Sequence, residues 1–228
     1  MKSYPCLSIT LCLFTLLFFS STILSQTGPA GVNDSIQLWL DASDLSTLYQ
    51  DDAGTIPVTA NGQPVGMWQD KSGAGHHVTQ SNTNRQPSYR SSVSNFNAQP
   101  ALDFAGGSTN ADILQYVLAT DYTGPFTIFI ALQSDDASPD NNDAFFASDN
   151  ESTTSSFQID YDQGGNIFRA KYLDNATFTS FGSFGHNELK LYTVVHDGAN
   201  PTSYSDGVAV STISTVSYTH LTLPTRRF

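Results

Sequence analysis

Short apolar runs separated by clusters of Gly, Asn, Asp and Ser fill the chain from residue 26 to residue 213. No stretch holds a helical period for three turns. Alternation with a period of two recurs instead, the signature of an all-β chain. Segment 36–41 alternates cleanly and predicts a strand, as do 65–69, 101–104 and 113–118. Segment 126–132 is apolar on both faces apart from Thr127, so a central, buried strand is expected there. Strands are also predicted over 144–147, 156–161 and 167–172, the last two joined into a hairpin by the turn 162–166. Segment 189–196 predicts a strand with Leu189, Leu191, Thr193 and Val195 on one face. Segments 202–205 and 208–213 form a closing hairpin around Asp206-Gly207, where positive φ favours glycine. The expected architecture is two packed antiparallel sheets with long edge loops.

The first 25 residues stand apart. Lys2 precedes an apolar run over 7–24, and Ser25 offers a small side chain at a cleavage position before Gln26. That reads as a signal peptide. The alternative is a membrane anchor, because the run is close to the roughly 20 residues that a span needs. Cleavage removes Cys6 and Cys12, leaving a mature chain without cysteine. The domain then relies on core burial, with a bound metal as a further option, although export permits disulfides.

The tail also stands apart. Residues 216–225 (VSYTHLTLPT) match the translation of a transposase-type sequencing adapter, and Thr215 and Arg226 fit its flanking bases. A natural strand is the other reading, since the segment alternates. The adapter reading makes 216–228 a non-native tail and 26–215 the credible mature segment. That length suits one domain. Six basic residues there face 21 acidic ones, 19 of which are Asp. Such a balance argues against nucleic acid and anionic membrane surfaces, which need basic patches.

Several motifs in order resemble the concanavalin A-like lectin/glucanase superfamily, and most closely the laminin-G-like jelly-roll modules of secreted bacterial surface proteins. They are GPAGVNDSIQLWLDASDL, VGMWQDKSGAGHHVTQ with its Trp-x-Asp-x-Ser-Gly turn, RQPSY, PALDFAGG, PFTIFIALQ and LKLYTVVHDGANPTSYSDGVAV. They cover residues 28–213. The resemblance implies a scaffold rather than an activity, since one fold hosts many functions. It also implies that a late strand pairs beside the first one. With 216–228 set aside, the sandwich would lack its C-terminal strand or strands and leave 36–40 with an open edge. Residues 26–215 alone are then expected to aggregate.

The glucanase members of that superfamily use paired glutamates. Retaining hydrolysis needs two carboxyls about 5 Å apart. The only glutamates, Glu151 and Glu188, are far apart in the chain. Asp160 and Asp162 lie two apart, but both read as solvated, Asp160 opposite Phe157 and Ile159 and Asp162 at a turn. No catalytic residue is assigned. Asp135, Asp136, Asp140 and Asp143 crowd one loop with Asn141 and Asn142 and form the candidate calcium site, since calcium takes six to eight oxygens. A solvated turn is the alternative. No cofactor is otherwise called for. His76 and His77 are adjacent, so an extended chain points them to opposite faces and joint chelation is poor. Trp39 and Trp68 read as core, and Tyr122, Tyr161, Tyr172 and Tyr204 as surface aromatics suited to sugar stacking.

The function expected from these features is a non-catalytic module, secreted or at the cell surface, that recognises glycan or an extracellular protein. Membrane insertion after signal cleavage is not expected. A glycoside hydrolase fragment and a structural spacer of an adhesin are the alternatives.

Overall fold

The computed structural model describes residues 28–32, 34–106, 110–117, 124–134, 144–147, 157–162, 167–172, 174–182, 187–197 and 201–212. Among them the protein is all-β and sandwich-like, with strands joined by turns and single 3₁₀ turns. The strands are β1 (Leu48–Tyr49), β2 (Met67–Trp68), β3 (Val78–Thr79), β4 (Ser88–Val93), β5 (Gln99–Asp103), β6 (Phe126–Leu132) and β7 (Ala144–Ala147). They continue with β8 (Phe157–Asp162), β9 (Ile167–Tyr172), β10 (Asp174–Gly182), β11 (Lys190–His196), β12 (Pro201–Ser205) and β13 (Val208–Thr212). Every ladder among the described residues is antiparallel.

Two four-stranded sheets, ordered β10-β9-β8-β7 and β13-β12-β11-β6, make the C-terminal region. Phe157, Ile159, Ala170 and Phe181 from the first meet Leu132, Tyr192 and Val194 from the second in one apolar core. Phe126, Ile128, Ile130 and Phe145 pack against it. Within this core the hydroxyls of Thr179 and Ser203 are hydrogen bonded at 2.9 Å, which ties β10 to β12. Burial pushes the Tyr192 phenol up to about 12, helped by the charges of Asp206 and Glu188. The Asp206-Gly207 turn takes positive φ at both residues, 51° and 78°, as the hairpin from β12 to β13 requires.

The N-terminal region has its own core of Leu48, Val58, Val65 and Tyr89, with Trp68, Leu102 and Leu114 against it. Its sheets are small: β1-β2-β3 with two residues per strand, and the β4-β5 hairpin. Close backbone approach demands glycine at Gly66. A Cβ there would lie 2.7 Å from the Gln50 carbonyl oxygen and 2.6 Å from the Gln86 amide nitrogen.

Several elements differ from their sequence expectations. Strand β6 is an edge strand of its sheet among the described residues, and it is not buried on both faces. Phe126, Ile128 and Ile130 turn to the core, while Phe129 is 70 % exposed. An antiparallel sheet packed on one face leaves the other to solvent even when both faces are apolar in sequence. Strand β11 buries Tyr192, Val194 and His196 and exposes Leu191, so the core takes the face opposite Leu191, although Thr193 is buried too. The aromatic rings decide this: Tyr192 meets Phe181 edge-on at 4.9 Å, and His196 stacks on Phe126 at 5.2 Å. Strand β10 has no counterpart among the expected strands. Asp160 is buried and not solvated. Arg169, directly opposite on β9, donates to it through Nε at 2.8 Å.

Segment 36–41 joins no ladder, and the described part of 113–118, residues 113–117, makes a single bridge between Gln115 and Thr79. The first is instead fastened by Asp70, Lys71 and His76, and the second by Thr79, Gln80 and Arg85.

Candidate functional site

The site is built around the turn that follows β2. Asp70 is buried, and its carboxylate accepts four hydrogen bonds. Oδ1 takes the backbone N–H groups of Trp39 and Ser72, each at 2.8 Å. Oδ2 takes the Ser72 hydroxyl at 2.6 Å and the His76 N–H at 3.0 Å. One side chain therefore closes the turn 70–76 and anchors segment 36–41 to it. Burial works against the charge, but the bonds from Ser72, Trp39 and His76 outweigh it and hold the carboxyl below its ordinary value.

The next residue makes a second tie. Lys71 Nζ lies 2.9 Å from both Asp41 and Asp44 and 4.5 Å from the centre of the Trp39 ring, and its N–H donates to the Trp39 carbonyl at 2.8 Å. Burial opposes the ammonium charge, yet the bonds to Asp44 and Asp41 prevail and raise its pKa. Asp44 is lowered by Lys71 and Ser46. Asp41 is lowered as well, because Ser43 and Lys71 overcome its burial.

His76 and His77 then diverge. His76 Nδ1 lies 2.7 Å from the Gln37 carbonyl, which only accepts, so Nδ1 carries a proton. His77 Nδ1 accepts the Asp70 N–H at 3.0 Å, so the neutral ring carries its proton on Nε2. His76 thus donates through Nδ1, whereas the neutral His77 ring keeps Nε2–H as its donor edge.

Segment 111–117 forms the opposite wall. Gln115 exchanges both backbone hydrogen bonds with Thr79, at 2.8 and 3.0 Å, and Ile113 N–H donates to Arg85 at 3.0 Å. Arg85 Nε donates to the Ala111 carbonyl at 3.1 Å, and the Gln80 amide to the Ile113 carbonyl at 3.2 Å. This brings the Tyr116 ring to 4.7 Å from the His76 ring, tilted by 40°. Beside this segment lies an open cleft of about 330 Å³, lined by Asp52, His77, Thr79, Gln80, Gln115 and Tyr116 among others. The Tyr116 side remains 42 % exposed. The arrangement offers an aromatic face, amides that donate and accept, a hydroxyl, an imidazole N–H and one carboxylate. It suits a small ligand rich in hydroxyl groups.

The sequence-based candidates fall elsewhere. Asp135, Asp136, Asp140 and Asp143 lie outside the described residues, as do Glu151, Tyr122 and segments 1–27 and 213–228. Glu188 is exposed and pairs with Lys190 at 3.5 Å. Trp68 packs on the N-terminal core, and Trp39 is half-buried beneath Lys71. Tyr204 is half-buried on β12. Among the described residues no three His, Cys, Asp or Glu side chains gather for a metal, and no helix is long and apolar enough to cross a membrane. Tyr116 carries no signal in the sequence beyond being aromatic. Its place depends on the bridge between its neighbour Gln115 and Thr79, 36 positions apart.

The chain matches no protein-family model, no curated protein and no solved structure.

Proposed function

We propose that this chain is a non-catalytic recognition module of an exported or cell-surface protein, of the laminin-G-like, concanavalin A-like kind, and that it binds glycan in the cleft beside Tyr116. The observation that carries this reading is the exposed Tyr116 ring, held by His76 at the rim of a polar cleft. Sugar C–H groups stack on such a ring, while amides and a carboxylate bind hydroxyls. Among its described lining residues the cleft presents one carboxylate, Asp52, where glycoside hydrolysis uses two. An aromatic face beside amides and one carboxylate supports the binding reading.

A glycan array probed with the protein and with Tyr116→Ala tests the reading. The expected result is saccharide binding that the substitution weakens at least about tenfold, near 1.4 kcal/mol, with no change in melting temperature. Binding that ignores Tyr116→Ala, or capture of extracellular proteins with no saccharide bound, refutes it.

A further inference from the structure

We infer that the cleft takes a neutral hexopyranose and discriminates against uronic, sialic and sulfated sugars; this rests on the saccharide reading above. The argument is one of charge. Recognition of a carboxylate or sulfate calls for an Arg or Lys that presents its cation to the ligand. The charged group on the cleft wall is Asp52, which is exposed and repels an anion. Neither cation nearby in sequence lines the cleft. Lys71 is only 10 % exposed and lies between Asp41 and Asp44, and Arg85, whose Nε donates to the Ala111 carbonyl, is not among the lining residues. The formal charge of −12 for the whole chain opposes anionic ligands at longer range as well.

The remaining wall groups complement a neutral sugar. Asp52 accepts from hydroxyls, the Gln115 amide both donates and accepts, and His77 donates through Nε2–H. The tautomer that makes His77 a donor is fixed by the Asp70 backbone and not by a ligand, so the donor is in place before binding. Tyr116 supplies the apolar contact for the ring face of a pyranose. A volume of about 330 Å³ lies at the small end of ligand sites, which suits a short saccharide segment.

The test uses matched pairs of oligosaccharides that differ only in a C6 hydroxyl or carboxylate, titrated calorimetrically into the protein at low and moderate salt. The neutral member is expected to bind at least tenfold more tightly, with the gap shrinking as salt rises. Asp52→Asn, isosteric and exposed, should narrow the gap at least threefold without altering the melting temperature. Tighter binding of the acidic member, still lost in Tyr116→Ala, overturns the charge inference and leaves the saccharide reading standing. Equal binding of both members overturns it too. Failure of every saccharide to bind folded protein overturns both.

Discussion

The two regions of this molecule are ordered by different means. In the C-terminal region, long ladders such as β6 with β11 and β8 with β9 set the register, and one apolar core joins the two sheets. In the N-terminal region the strands of the three-stranded sheet are two residues long, and polar side chains do much of the tying. Asp70 closes a turn and binds a distant segment, Asp51 accepts from Thr55 and Ile56, and Gln63 accepts from Thr59 and Ala60. Ladders give rigidity wherever the sequence alternates. Side-chain ties hold an irregular backbone in place, and the cleft lies in the region that uses them.

If the two cores are separate cooperative units, single substitutions should divide them. Ile159→Ala should have the largest effect, about 2–5 kcal/mol, because Ile159 is fully buried between the C-terminal sheets. Urea denaturation should show the loss, and amide exchange should rise in β8, β9 and β11 while β4 and β5 keep their protection. Gly66→Ala should cost about 1–3 kcal/mol, since its Cβ would press on the Gln50 carbonyl. That change should instead loosen β1 to β3 and weaken saccharide binding, as a melt and a titration would record.

Acid should act more gently and also unequally. Burial lowers the His196 pKa despite the neighbouring charge of Asp197. The unfolded chain therefore takes up a proton first, so the C-terminal region loses stability as pH falls below about 6.5. Asp70, Asp41 and Asp44 are lowered from ordinary carboxyl values, so their contribution holds until pH falls below about 4. Residue-resolved exchange between pH 7 and 4 should show the sandwich loosening before the turn. Simultaneous loosening would contradict the division.

The sandwich was largely legible in the sequence, and the cleft was not. Hairpins such as β8-β9 and β12-β13 declare themselves through local alternation and turn residues. Strand β10 is harder to see, because small polar residues dilute its alternation, and Thr179 fills a core position through its hydrogen bond to Ser203. Segment 36–41 alternates like a strand, yet its backbone is satisfied by Asp70, Lys71 and His76 rather than by a ladder. Asp160 looks solvated by alternation, and only its cross-strand position opposite Arg169 explains its burial. The cleft depends on pairings of this long-range kind, between 39 and 70, 37 and 76, and 79 and 115. No local pattern encodes them.

The central claim is that Asp70 closes the turn 70–76 and ties segment 36–41 to it, beside the His77 edge of the cleft. Hydrogen exchange of Asp70→Ala, resolved by segment, tests it most directly. The substitution leaves three backbone N–H groups without their acceptor, a loss of about 1–3 kcal/mol. Exchange should quicken in 36–41 and 72–77 and stay unchanged in β6 and β11. Faster exchange spread evenly over both regions, or none in 36–41, would contradict the account.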